Sequence, residues 1–300
     1  MNSYRFTQEN NIKAFAKSNL SFKDSSINYS NLLSLDGSFT SKCVGIKYVT
    51  AGTEKYIVNG KTHHVSSKQF LVLNKGQKFE CTLKSSIPVL GACISLGVDL
   101  VRQANDYLMR STDDLLSTPI MSNQPEPEFH ECVYSQHDKF STYIAAVIKQ
   151  DQYSDPGESA EFYQELAVEL LLSQKEIFSQ IHKIKALKDS TRKELYNRLY
   201  QAKMIIDSTD AEKINIPGLA IACAVSEFHF YRSFKIAFGV SPYKYVVSRR
   251  LDKAKLLLTS NTKKSITDIA YEAGFTDIYS FSRSFKKHFR HSPSELLNVI

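Results

Sequence analysis

Hydrophobic and polar positions change period along this chain. Residues 1–39 are polar and rich in Asn, Ser and Lys, with only Phe22, Leu32 and Leu33 suggesting packing, so a partly ordered lead-in is expected. From residue 42 to 96 the period is two: Val44, Ile46 and Tyr48 alternate, as do Tyr56 and Val58. Asn59-Gly60 between apolar runs is the strongest two-residue hairpin signal, because both positions tolerate positive φ. Further strands are expected at 70–73, 79–83 and 88–94, with Asn74-Lys75-Gly76 turning the chain between the first two. Short strands at such regular intervals predict a small antiparallel barrel or sandwich.

The period then lengthens to that of a helix. A helix is expected from residue 98 to 109, and Phe140, Tyr143, Ile144, Val147 and Ile148 make the stripe of a second. Asp155-Pro156-Gly157 breaks the chain. A third helix, 158–184, carries Tyr163, Leu166, Leu170, Ile177 and Ile184 at three- and four-residue steps, interrupted by Ser173 and Gln180. That seam suits either the chain's own barrel or a second subunit. Residues 183–191, polar and lysine-bearing, suit a linker.

Residues 215–293 write one pattern twice. The first copy runs through Leu219-Ala220, Ser226, Phe230, Arg232, Phe234-Lys235, Gly239 and Ser241-Pro242. Ile269-Ala270, Asp277, Phe281, Arg283, Phe285-Lys286 and Ser292-Pro293 answer it, 50 residues on at first and 51 from Asp277. The extra residue falls within Ala273-Gly274-Phe275-Thr276, opposite Ala222-Cys223-Ala224-Val225, where an inter-helix turn can absorb it. Each copy predicts a short helix of small apolar residues, a tight turn, and a second helix N-capped by Ser226 or Asp277.

In the second helix of copy one, Phe234, Ala237 and Phe238 lie within about 80° of Phe230, while Phe228, Tyr231, Arg232 and Lys235 fall between about 100° and 200°. In copy two, Phe281, Phe285 and Phe289 point inward, and Tyr279, Ser282, Arg283 and Lys286 outward. One such basic face is commonly just solvated. Recurrence at fixed spacing favours a surface that meets two successive major-groove segments, with arginine forks on guanine and lysines on phosphate.

The stretch 192–297 resembles the DNA-binding domain of the AraC/XylS family of transcription regulators. The likeness rests on residues 230–235, 239–242, 250–254, 266–270, 274–275 and 281–286, together with Leu219-Ala220 and Ser226. It implies seven helices, two helix-turn-helix units and a long joining helix at 242–259. Where the family closes its last recognition helix with glycine, this chain has Arg290, so that helix either ends differently or Arg290 adopts a left-handed conformation at a cost of roughly 1 kcal/mol. The order of strands, helices and helix-turn-helix also matches the family, whose N-terminal part is commonly a cupin-like barrel that binds an effector or dimerises. Here the likeness narrows to residues 56–60 and 70–73.

Charge agrees with this placement. The net charge is +7, and residues 188–300 hold 19 Lys+Arg against 11 Asp+Glu, a balance of +8 that leaves −1 for the rest. A polyanion partner suits the C-terminal third. Cys43, Cys81, Cys93, Cys132 and Cys223 are odd in number and form no C-x-x-C pair, so reduced thiols are expected, with nothing flanking them in sequence that would stabilise a thiolate. His63 and His64, adjacent on a strand, point to opposite faces, and the His-x-His spacing of a cupin metal site is missing. Neither a metal nor a cofactor is expected, and no catalytic motif or long apolar run stands out.

The expected fold is two-domain α+β: an N-terminal cupin-like antiparallel β-barrel with helices over 1–185, and a C-terminal all-α double helix-turn-helix domain over 186–300. Phe228, Tyr231, Arg232, Tyr279, Ser282 and Arg283 are expected to face bases, and Lys235, Lys286, Lys287 and Arg290 to hold phosphates. If the arginines only clamp phosphate, the reading face passes to Phe228, Tyr231, Ile278 and Tyr279. The resemblance implies an activator, with double-stranded DNA as partner and RNA polymerase and a small-molecule effector as further candidates. The polar first twenty residues and the lack of an apolar run of about 18 residues give the expectation of a cytoplasmic protein with no membrane partner. The barrel or the 158–184 helix gives that of a homodimer. Two rivals stand beside it: a metal-dependent or sugar-modifying enzyme fused to a DNA-targeting module, and a barrel that serves dimerisation alone.

Overall fold

The computed structural model describes residues 25–109, 126–134, 138–151, 160–185, 188–208, 214–260 and 264–297. The break at Asp155-Pro156-Gly157 lies outside them. The chain divides into two compact units, Met1–Phe178 and Ser179–Ile300.

The first unit is an antiparallel, nearly closed, barrel-like sheet with helices. Its strands are β1 (Ser26–Thr40), β2 (Val44–Ala51), β3 (Thr53–Val58), β4 (Lys61–Ser66), β5 (Gln69–Leu73), β6 (Lys78–Leu96) and β7 (Val133–Tyr134). They run in the order β4-β3-β6-β2-β5-β7, with β1 also paired to β6. Asn59 and Gly60 both have positive φ, 51° and 74°, and close the β3–β4 hairpin with Val58 opposite Lys61.

Three strand expectations change. Residues 26–40, expected as part of a loose lead-in, form a strand paired with β6 over nearly its whole length. Its Ser and Asn residues weaken the pattern, but the partner strand supplies the hydrogen bonds. The expected strands 79–83 and 88–94 are one strand, β6. Its register against β1 jumps from Leu32↔Val89 to Ser34↔Lys84, so residues 85–88 drop out of that ladder. Pro88, which has no N–H to donate, sits in this bulge. Finally, Asn74-Lys75-Gly76 does turn the chain, with Gly76 at φ 78°, yet β5 pairs with β2 and β7, not with β6.

Pairing sorts residues onto two faces. Phe70 stacks on Tyr134 at 4.7 Å and meets the ring of Phe140 at 5.3 Å, under α2 (Lys139–Asp151), which follows α1 (Val98–Met109). On α3 (Ala160–Lys183), buried Gln174 accepts the His130 N–H and donates to the Tyr134 hydroxyl, so this part of the helix packs on its own unit. The other face collects Val49, Leu71, Leu73 and Val89 with Tyr56, Val58, Val65 and Phe79 as the interior core. His63 and His64 diverge as expected: His64 is exposed, and His63 meets Glu131, which also accepts from Asn59 and Gln77.

The second unit contains α4 (Asp189–Ser208), α5 (Ile216–Ala222), α6 (Glu227–Phe238), α7 (Pro242–Thr259), α8 (Ile266–Glu272), α9 (Ile278–Phe289) and α10 (Pro293–Leu297). The linker is shorter than expected because α4 begins at Asp189, whose carboxylate in the first turn takes Arg192 and Lys193. Hydrophobic burial then joins the copies through α7. Near its start Tyr245 packs on Phe234 and donates to Asp207, while Leu251, Ala254 and Leu258 join Ile269, Ala270, Phe275, Phe281 and Phe285.

Candidate nucleic-acid interface

Both helix-turn-helix units are built from the same backbone bonds. After α5, Cys223 N donates to Leu219 O, Ala224 N to Ile221 O and Val225 N to Ala220 O. After α8, Ala273, Gly274 and Phe275 donate to Ile269, Tyr271 and Ala270 in the same way. These are paired Schellman closures, each with a left-handed residue in the middle: Ala224 at φ 53° and Gly274 at φ 88°. Thr276, the extra residue, therefore follows a completed turn and leaves the turn itself unchanged.

The expected caps are in place. The Ser226 hydroxyl accepts the His229 N–H at 3.3 Å and the Asp277 carboxylate accepts that of Ser280 at 2.7 Å. The Ser280 backbone bond holds the Asp277 carboxyl below its usual range. Ser241-Pro242 and Ser292-Pro293 start the following helices alike, with Ser241 accepting from Lys244 N and Ser292 from Glu295 N.

Each second helix then carries a phenylalanine spine. Phe230, Phe234 and Phe238 follow one another at 5.6 and 4.7 Å between rings, and Phe281, Phe285 and Phe289 at 5.5 and 4.6 Å. The spine fixes which residues face out. Phe228 is 77% exposed and its counterpart Tyr279 74%, while Tyr231 and Ile278 are both 38% exposed. Arg232, Lys235, Arg283, Lys286, Lys287 and Arg290 are exposed, and Ser282 is half-buried.

Ion pairing distinguishes these cations from several others in the unit. Lys203 and Arg249 reach Asp207, Arg249 also reaches Asp252, Arg198 reaches Glu194, and Lys264 meets Glu272. Arg232, Lys235, Arg283, Lys287 and Arg290 make no ion pair with another described residue. Paired cations brace the scaffold; unpaired ones on the outer faces of α6 and α9 are available to an anion.

The end of α9 answers the question posed by Arg290. It is left-handed, φ 71°, and its N–H closes on Lys286 O, just as Gly239 at φ 77° closes on Lys235 O. The helix ends as its counterpart does, with a strained arginine in the place of glycine. The outward list omitted one matched pair, Ile221 (78% exposed) and Tyr271 (52%), on the first helices of the two units. Their 50-residue offset was the available signal, masked because apolar side chains suggest core.

Residues 219–298 match the helix-turn-helix domain family. Over 86 residues the chain is 36% identical to the HTH-type transcriptional activator RhaS of Escherichia coli, covering 29% of this chain and 31% of that protein. Against the probable transcriptional regulator LumQ of Photobacterium leiognathi it is 32% identical over 83 residues, 28% of this chain and 33% of LumQ. The chain thus spans about a third of the length of these curated relatives. Among solved structures, ToxT from Vibrio cholerae aligns over 93% of this chain and 99% of its own at 16% identity and a TM-score of 0.36. An AraC-type DNA-binding regulator from Chromobacterium violaceum aligns over 34% and 89% at 31% identity and a TM-score of 0.31.

Proposed function

We propose that the chain, whose residues 219–298 match the helix-turn-helix domain family, is a sequence-specific regulator of transcription of the AraC type that inserts α6 and α9 into successive major-groove segments. The observation that carries this is the matched pair of outer faces: Phe228/Tyr279, Tyr231/Ser282, Arg232/Arg283 and Lys235/Lys286 share one offset, and Arg232, Lys235 and Arg283 are free of ion pairs within the described residues. The shared helix α7 suits the task, since its 18 residues span roughly 27 Å, commensurate with the ~34 Å groove repeat on one face of DNA.

In this reading Arg232 and Arg283, with Phe228, Tyr231, Tyr279 and Ser282, read bases. Lys235, Lys286, Lys287 and Arg290 hold phosphates, and Ile278 is held in reserve at the start of α9. Residues 186–300 are the DNA-binding domain, and 1–185 the sensing or dimerising one. The whole chain acts in the cytoplasm as a homodimeric activator that answers a small effector and contacts RNA polymerase, and it catalyses no reaction.

The test is a salt titration of the full chain on its own operator. With six or more cationic side chains on phosphates, log affinity falls with log salt at a slope of about −5 or steeper. A flat response removes the DNA-binding reading.

A further inference from the structure

Lys47 and Cys93 stand directly opposite each other on β2 and β6, and both side chains belong to the sheet face that lines the interior: Lys47 also faces Leu71 across β5. Lys47 Nζ lies 2.7 Å from Cys93 Sγ. Sulfur is larger than oxygen, so an ordinary N–H···S contact is longer than an N–H···O bond; this pair sits at the length of the shorter kind. Opposed positions in a ladder keep the Cβ atoms about 5 Å apart, so the fold holds the lysine stem beside the thiol.

The surroundings are unusually polar for a barrel interior. Lys47 Nζ sits 5.3 Å from the Phe79 ring centre, and buried Glu54 accepts the Tyr56 hydroxyl at 2.5 Å. Gly91 makes room for that carboxylate, since a Cβ there would stand 3.3 Å from Glu54 Oε1 and 3.1 Å from the Tyr48 carbonyl. Burial works against the Lys47 ammonium, yet Cys93, then Cys81 and Glu54, raise it above its ordinary value. Burial also pushes Cys43 up, and Cys81 up to about 12, which makes both poor nucleophiles. Cys93 is half-buried, within reach of a small oxidant.

We infer that Lys47 and Cys93 form an oxidation site at which dioxygen joins them covalently as an Nζ–O–Sγ bridge between β2 and β6. The balance is amine plus thiol plus dioxygen giving the bridge plus water. One N–H and the S–H are broken, N–O and O–S bonds form, and the second oxygen leaves as water with a further amine hydrogen retained on nitrogen. Nitrogen and sulfur each give up two electrons, and dioxygen takes all four. An ammonium–thiolate pair carries the same protons as amine and thiol, so the count is unchanged by which form reacts. Two equivalents of a dithiol return the amine, the thiol and water. The lysine comes from 46 residues away, which is why no thiolate-stabilising neighbour is visible beside Cys93 in the sequence.

The test is mass spectrometry of the full-length chain, reduced under anaerobic conditions and then exposed to air. The expected product is heavier by one oxygen less two hydrogens, gives one linked peptide containing Lys47 and Cys93, and reverts with dithiothreitol. C43S and C81S should form it, whereas C93S and K47M should not. The wild-type chain carries the decisive result, so a variant that fails to fold does not blunt the test. Loss of two hydrogens only, marking a disulfide, would overturn the assignment. So would whole oxygens added at Cys93 with the Lys47 peptide unlinked, or an unchanged mass.

Discussion

The two helix-turn-helix copies each place two residues in the left-handed region, one in the turn and one at the end of the second helix, and give glycine to opposite ones. In the first copy alanine occupies the left-handed turn position (Ala224, φ 53°) and glycine ends α6 (Gly239, φ 77°). In the second, glycine takes the turn (Gly274, φ 88°) and arginine ends the helix (Arg290, φ 71°). Packing of the spines and the Schellman closures therefore dictates the backbone, and each copy tolerates one non-glycine residue there at roughly 1 kcal/mol. The second copy takes its strain where the residue is a cation next to Lys286 and Lys287, so the strain coincides with an added charge on the proposed DNA face.

The comparison breaks most decisively at the spines. Phe234→Ala and Phe285→Ala should each destabilise the chain by about 3–5 kcal/mol, read by denaturant unfolding. Similar losses mean that the copies share one cooperative unit through α7; a small loss in either would show that its spine is not what sets its backbone.

Smaller changes address the glycine exchange. Ala224→Gly and Arg290→Gly should each stabilise by up to about 1 kcal/mol, and Gly239→Ala should cost a similar amount. Nothing lies within 4 Å of a Cβ placed at Gly239, so φ alone sets that penalty. Arg290→Gly should also weaken binding to all DNA alike, as a lost phosphate contact does. Loss of both stability and affinity in Arg290→Gly would contradict the strain.

The smallest effect separates the caps. The caps of the two second helices differ: α6 is capped by the Ser226 hydroxyl, whereas α9 is capped by the Asp277 carboxylate, which the Ser280 backbone bond holds below its usual range. A carboxylate with a lowered folded pKa contributes stability that is present above its unfolded value and lost as pH falls through the folded one. As pH falls below about 4, the Ser280 amide should therefore lose hydrogen-exchange protection before the His229 amide does. Equal loss at both would sink the distinction.

Much of this was legible from local signals. The repeat, the α7 limits, the Ser226 and Asp277 caps and the Asn59-Gly60 turn all depend on neighbours within a few residues. What escaped depends on distant partners. β1 was hidden because its Ser and Asn residues gain their ladder only from β6, and β6 was split in two because Pro88 reads as a break when nothing shows the bulge that holds it. The polar interior escaped for the same reason: Lys47 meets Cys93, and Glu131 meets His63, only once the sheet has formed. At the interface, the exposed cations were foreseeable from helical angles, while Ile221 and Tyr271 were not.

The central claim is that α6 and α9 read separate segments with equivalent residues. Binding-site selection on the wild-type chain, Arg232→Ala, Arg283→Ala and Lys235→Ala tests it most directly. A bidentate arginine on guanine discriminates by about 1–3 kcal/mol, so each arginine variant should lose base preference in one half of the site, the halves lying roughly one helical turn apart. Lys235→Ala should keep the preference and lose affinity for all sequences. If both arginine variants kept full preference and lost only affinity, the arginines would be phosphate clamps and the account of matched reading faces would be contradicted.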